Sequence, residues 1–210
     1  MCPRALVFPP PRTCSRYNGG VPFAIRDFQS ADFETLWRID QSCFAPGISY
    51  SRAELRFYIR HRASFTLVAV SGAPCFSHPS REVALASEAE VSIPPDSTTA
   101  EAGKSSPPRD ASIAGFIVAE AASRARGHII TIDVIAAARR FGVGSLLLRA
   151  AEDRLISSGC RAVELETAVD NLSALAFYKR HGYSVVKTSP RYYSNGVDAL
   201  VLEKTLILPR

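Results

Sequence analysis

Apolar and polar positions recur along this chain in two different periods, and the places where the period changes mark its elements. In residues 22–28, Phe23 and Ile25 alternate with small or charged neighbours as a half-buried strand does. Residues 30–44 then set Phe33, Leu36, Trp37 and Ile39 at helical spacing behind two capping candidates, Ser30 and Asp32. After a break at 45–49, residues 51–62 give a second helix. Residues 64–70, 113–120 and 127–135 are apolar runs of strand length. A helix follows from about Gly144 to Ser158, stopped by Gly159, then a strand over 162–167, a helix over 171–183 and two closing strands over 184–193 and 198–206. The order β-α-α-β-β-β-α-β-α-β-β predicts an α/β fold with a sheet of mixed direction, and no internal repeat interrupts it.

Composition sharpens the boundaries. Four of the fourteen prolines fall in residues 1–20 and six in 71–112, outside the periodic segments. Residues 71–112 are rich in Ser, Thr, Pro and Ala and carry too little apolar surface to offset the entropy of ordering them. They predict a disordered insertion joining two strands of one domain over 21–208, and residues 1–20 predict a disordered tail, with the true start of translation left open. No apolar run approaches the roughly 18 residues of a membrane span, and the proline-broken start lacks a secretory signal, so the expectation is a cytoplasmic protein without a membrane partner. Five cysteines without a C-x-x-C pair imply neither a disulfide framework nor a zinc site, and no metal ligand set is assigned. The net charge of +5 belongs to the foldable part, since the tail and the insertion cancel. It suits an anionic partner.

The turn between the strand at 127–135 and the next helix, Arg139-Arg140-Phe141-Gly142-Val143-Gly144-Ser145, is where such an anion would sit. The first N–H groups of a helix lack internal partners and carry the positive end of its dipole. Gly142 and Gly144 let a diphosphate approach the backbone, and Arg139 and Arg140 add charge. A plain strand-to-helix turn with solvated arginines explains the same residues. Neither a Walker loop nor a G-x-G-x-x-G pattern is present.

This turn, together with Asn171-x-x-Ala174-x(3)-Tyr178-x(3)-Gly182-Tyr183 further along, resembles the GNAT family of acetyl-CoA-dependent N-acetyltransferases, over residues 23–206 apart from the insertion. The resemblance implies a mostly antiparallel mixed sheet with one splayed parallel strand pair, flanked by helices, and acetyl-CoA as co-substrate in the splay. The pyrophosphate would lie on residues 139–145 and the pantetheine against Val134 and Ile135. Asn171 and Ala174 would face the cofactor, with Tyr178 beside the sulfur as general acid. A proline common in the family is replaced by Ala136.

Amine acetylation also needs a base, and the resemblance to ribosomal-protein N-terminal acetyltransferases points to Glu166. Strand parity puts Glu164 on the same face and cannot choose between them. Asp133 is either a negative charge that attracts the ammonium or a solvated strand residue. Phe44 and Pro46, in 43–49, and Tyr192 and Tyr193 resemble the peptide-facing loops of the N-terminal branch. The four histidines are assigned no role. The acceptor this implies is a protein or peptide amine, first a protein N-terminus, with a ribosomal protein among the candidates and lysine or small amines as alternatives. Two readings of other classes remain: a basic RNA- or ribosome-binding module, disfavoured because no aromatic residues interleave the basic ones, and an acyl-CoA sensor without turnover.

Overall fold

Strands and helices form where the two periods place them. The structure, a computed structural model, describes residues 14–15, 23–71, 112–121 and 125–206. The strands are β1 (Cys14–Ser15), β2 (Phe23–Asp27), β3 (Ser64–Ser71), β4 (Ile113–Ala121), β5 (Arg126–Val134), β6 (Ala162–Ala168), β7 (Ser184–Ser189) and β8 (Ala199–Thr205). The helices are α1 (Phe33–Cys43), α2 (Arg52–Arg60), α3 (Val143–Ser157) and α4 (Leu172–Arg180). One sheet runs in the order β1-β2-β3-β4-β5-β6-β8-β7. Every neighbouring pair is antiparallel except β5–β6, which is parallel. The mixed, mostly antiparallel α/β fold is therefore as expected.

Two expectations change. Cys14–Ser15 pairs with Phe23–Ala24 inside the stretch read as a tail, whose remainder lies outside the described residues. The strand expected over 184–193 stops at Ser189, ahead of Pro190, so Tyr192 and Tyr193 belong to a loop. The insertion also lies outside the described residues. Its two ends meet, because the Ser71 N–H donates to the Ser112 carbonyl at 2.9 Å.

Two apolar layers sandwich the sheet. On one face Leu147, Leu148, Ala151 and Leu155 of α3 pack on Leu67, Ile117 and Ile129, and on the other Leu36 and Ile39 of α1 and Leu55 of α2 pack on Val68 and Phe116. A bulge in the β4–β5 ladder, where Val118 faces Thr131 but Ala119 faces Ile129, re-phases β5. Past it, Ile132 and Val134 join the α3 layer, while Thr131 and Asp133 turn toward α1 through their partners Val118 and Phe116. Gly115 makes that ladder possible, since a Cβ there would lie 2.4 Å from the Asp133 carbonyl oxygen.

Beneath α1 the polar groups are unusually constrained. Asp40 is wholly buried; its Oδ2 accepts from the Tyr50 N–H and from Gln41 Nε2, both at 2.9 Å, which ties the α1–α2 loop to the helix. Its Oδ1 has no partner. Burial pushes its pKa up to about 6, against those two hydrogen bonds. The folded chain therefore binds this proton more tightly than the unfolded one, and the contribution to stability falls as pH rises from about 4 through 6. Asp40→Asn keeps an acceptor for Tyr50 and removes the ionisation. Chemical denaturation should find the variant more stable than the parent by about 1–2 kcal/mol at pH 7.5, with the gap closing toward pH 4.5; a less stable variant at pH 7.5 contradicts this.

Candidate acyl-transfer site

The site begins where a strand pair stops pairing. β5 and β6 are in register only from Arg126 with Ala162 to Ile129 with Leu165, although β5 runs on to Val134 and β6 to Ala168. Each strand stays bonded on its outer side: β4 holds β5 as far as Val134, and β8 holds all of β6. The twist of two sheet halves held from outside separates the inner edges, leaving a wedge lined by unpaired backbone.

The chain turns at the end of β5 through a 3₁₀ turn (Ala136–Ala138) into α3. Gly142 is the helix N-cap at φ 83° and Arg140 sits at φ 68°, so the turn uses the left-handed region twice. The Leu146 N–H is the first to reach back, to the Gly142 carbonyl at 3.0 Å, which leaves the N–H groups of Val143, Gly144 and Ser145 ahead of the first helical bond. This is the geometry an anion needs. The side chains are arranged differently from a simple ring of charge. Arg139 folds back, its Nε donating to the Val134 carbonyl at 3.0 Å and its Nη2 lying 3.6 Å from Cys43 Sγ. The Ile135 N–H donates to the Ala114 carbonyl. Gly144 lies against the Phe177 ring, which a Cβ there would meet at 3.4 Å, an ordinary contact. Ser145 Oγ is 2.9 Å from His181 Nε2, which fastens α3 to the end of α4, and Phe141 is half exposed.

On α4, Asn171 is the N-cap, and its Oδ1 accepts from the Ala174 N–H at 3.2 Å and from Ser173 Oγ at 3.0 Å. Ala174, one turn in, is partly buried against the α3 layer. Tyr178 is buried, its ring edge-on to Phe177 and Tyr183. Burial first, then Asp133 and Tyr193, raises its pKa, so the phenol keeps its proton. Asp133 is 1% exposed, which corrects the solvated alternative. Its Oδ2 accepts from Thr131 Oγ1 at 3.0 Å and its Oδ1 has no partner. Burial and the neighbouring Asp40 push its pKa well up, toward the protonated form, so it is a poor source of negative charge.

The face of the sheet opposite α3 carries the acid–base groups. Glu164 stands opposite His128 in the paired part of β5–β6, is half exposed, and reaches Arg126 at 3.5 Å. Glu166 is the first residue of β6 beyond the last paired position, and its Oε2 lies 2.7 Å from His128 Nε2. Burial works against charge on His128, but Glu166 first, then Glu120 and Glu164, outweigh it and raise its pKa. His128 is the residue that sequence reasoning missed, because its partnership with Glu166 depends on a parallel register between strand positions 36 apart in the chain. Near Glu166, Tyr192 is pushed up to about 12 by burial and then by that carboxylate, and Tyr193 to about 12 by burial, Tyr192 and Glu166. Tyr193 is thus in electrostatic reach of both Glu166 and Tyr178.

Two loops close over this face. Ser194 Oγ donates to the Gly47 carbonyl at 2.9 Å, and Gly47, at φ 87°, is closely covered, since a Cβ there would lie 3.0 Å from Asn195 Cβ. The α1–α2 loop, with half-buried Phe44 and exposed Pro46, therefore touches the β7–β8 loop that carries Tyr192 and Tyr193. Among the described residues no group of three His, Cys, Asp or Glu is placed to hold a metal ion.

Known proteins are similar to this chain in part of its sequence and in fold. Residues 88–183 match the model of the acetyltransferase (GNAT) family, whose first matched residues lie outside those described. An uncharacterized N-acetyltransferase of Methanocaldococcus jannaschii is 34% identical over 96 residues, which are 45% of this chain and 61% of that protein. The N-alpha-acetyltransferase MAK3 of Arabidopsis thaliana is 40% identical over 85 residues, 40% of this chain and 45% of that one. The matched stretches thus span about three fifths and under half of these relatives. The crystal structure of Ard1 from Thermoplasma volcanium superposes with a TM-score of 0.65 at 24% identity, covering 88% of this chain and 98% of that one, a likeness of fold. The wedge and the glycine-capped turn lie in or beside the stretch, residues 88–183, over which this chain is similar to the acetyltransferase (GNAT) family.

Proposed function

We propose that the protein transfers an acetyl group from acetyl-CoA to a primary amine, in the first place the α-amine of a protein N-terminus, by direct attack within a ternary complex. The observation that carries this reading is the separation of β5 from β6 immediately before Glu166. It supplies an opening beside a helix start with free N–H groups, and it places a carboxylate at the mouth of that opening. The N–H groups of residues 143–145 suit the diphosphate of the co-substrate, and the unpaired edge of β5 suits its amide-bearing arm.

The chemistry follows from the charges present. An α-ammonium, with a reference pKa of about 7.7 to 8.0, must lose a proton before its nitrogen can attack. Glu166, in contact with His128, is the acceptor for that proton; the engagement of Glu164 by Arg126, away from the opening, supports it over Glu164. The nitrogen then bonds the thioester carbon, and the carbon–sulfur bond breaks to give a thiolate. Tyr178 keeps its proton and stabilises that thiolate by donating a hydrogen bond. Asn171, by capping α4, orients the helix that carries Tyr178. Preference for an N-terminus rests on the resemblance to N-alpha-acetyltransferases and on the contact between the two loops, which would grip an extended peptide near Phe44, Pro46, Tyr192 and Tyr193. Lysine side chains and small amines are the other acceptors to be distinguished, and a ribosomal protein is one source of the N-terminus.

Incubation with acetyl-CoA and peptides that differ in first residue and carry an internal lysine, followed by mass spectrometry, should locate the acetyl group on the α-nitrogen. Acetylation of lysine alone overturns the N-terminal assignment. Tyr178→Phe should lower turnover by about 10²-fold while acetyl-CoA affinity stays within about threefold, and Glu166→Gln should cost a similar factor. An unchanged rate in either variant removes that residue from the mechanism.

A further inference from the structure

We propose that Glu120, a residue outside the wedge, acts through His128 to set the pH at which the Glu166–His128 pair is ready to take the substrate's proton, with His61 holding Glu120 in place. This rests on the acetyltransferase reading above and adds a positioning residue to it.

The geometry is a row of side chains across one face of the sheet. Ser64 of β3 stands opposite Glu120 of β4, Glu120 opposite His128 of β5, and His128 opposite Glu164 of β6. His128 reaches in two directions from this row. Its Nε2 lies 2.7 Å from Glu166 Oε2, and its Nδ1 lies 3.8 Å from Glu120 Oε1. The far oxygen of Glu120 lies 3.0 Å from Nδ1 of His61, the C-cap of α2, and accepts from Ser64 Oγ at 3.5 Å. All three inner groups are largely withdrawn from water, with side chains 25%, 23% and 19% exposed for His128, Glu120 and Glu166, whereas His61 is 45% exposed.

Proton uptake explains the arrangement. When the ammonium N–H bond breaks, its proton passes to the Glu166–His128 pair. The product state is an imidazolium with one N–H donated to Glu166 and the other directed at Glu120. A carboxylate on each side favours that state, so the pair becomes a stronger base than an imidazole beside a single carboxylate. The hydrogen bond to Glu166 orients the ring, and Glu120, at 3.8 Å, acts on it through charge. His61 and Ser64 keep Glu120 from swinging into solvent. The other charged or titratable groups facing this cluster among the described residues are Glu164, Arg126 on β5, Glu203 of β8, which Arg126 also binds, and Tyr192 and Tyr193. Arg126 takes up Glu164 and Glu203, which leaves Glu120 and Glu166 as the two carboxylates at His128 without an arginine partner among the described residues.

The test is a pair of pH profiles. In wild type and in Glu120→Gln, kcat/KM for a peptide acceptor is measured from pH 5.5 to 9, and the His128 ring is titrated by NMR of histidine-labelled protein without substrate. Both the acid limb of the rate and the His128 midpoint should move to lower pH by about half a unit or more in Glu120→Gln, and the plateau rate should fall severalfold as the base weakens. His61→Ala, which releases Glu120 instead of removing it, should move the midpoint down by less than Glu120→Gln does, and an unmoved midpoint removes His61 from the account. If Glu120→Gln fails to fold, Glu120→Asp is read in the same way with a smaller downward shift expected. A rate loss with the acid limb and the His128 midpoint unmoved makes Glu120 merely structural and overturns the proposal. A wild-type protein that acetylates no amine overturns the acetyltransferase reading instead, and the two failures are told apart by the wild-type rate.

Discussion

The parallel contact between β5 and β6 ends after four residues on each strand, and the rest of the site depends on that short contact. Were the two strands paired to their ends, the inner backbone groups would be satisfied, Glu166 would face a neighbour strand, and nothing extended could be taken up between them. The divergence survives because each strand is fully committed elsewhere: β5 to β4 through a bulged ladder, β6 to β8 through seven consecutive residues. An opening of this kind needs rigid walls, since mobile ones would close on themselves to pair their hydrogen-bonding groups.

The walls are rigid for reasons visible in the side chains. On one side α3 covers the sheet with a dense apolar layer, and α4 is fastened to the start of α3 by the His181–Ser145 contact and by Phe177 lying against Gly144. A buried acid, Glu152, is fully engaged by the Tyr183 hydroxyl and by Lys204, which ties α3 to β8 behind the wedge. On the other side α1 is less perfectly satisfied. The four buried polar side-chain atoms without partners among the described residues belong to Trp37, Asp40, Thr66 and Asp133, all in or facing the layer beneath α1 and α2. The acceptor face is thus built on the more costly of the two layers, the one that also holds the loops expected to receive substrate.

Most of the fold was legible from the sequence because it rests on local periodicity: the helices at 33–43, 143–157 and 172–180 fall within three residues of their expected ends. The two departures have local causes. Pro190 ended a strand that its tyrosines seemed to extend, and the β4–β5 bulge turned Asp133 into a buried group that alternation alone had left as solvated or reactive. The site was legible only as far as its motifs. Gly142 and Tyr178 could be picked out from their motifs and Glu166 from the resemblance, whereas strand parity put Glu164 on the same face, and only the residue at which the two strands part gives the two carboxylates different surroundings. His128 and Glu120 carried no signal at all, since their meaning lies in cross-strand register between segments distant in the chain. Arg139, selected for its charge, is occupied in the structure with the end of β5 and Cys43, a use that no sequence pattern announced.

A crystal structure of the protein with acetyl-CoA and a peptide acceptor tests the central claim most directly. The account predicts the co-substrate threaded between β5 and β6 beyond Ile129 and Leu165, its diphosphate on the amides of residues 143–145, its sulfur within hydrogen-bond reach of the Tyr178 hydroxyl, and the peptide nitrogen on the Glu166 side. Acetyl-CoA bound away from this opening, or β5 and β6 found paired to their ends in the complex, contradicts it.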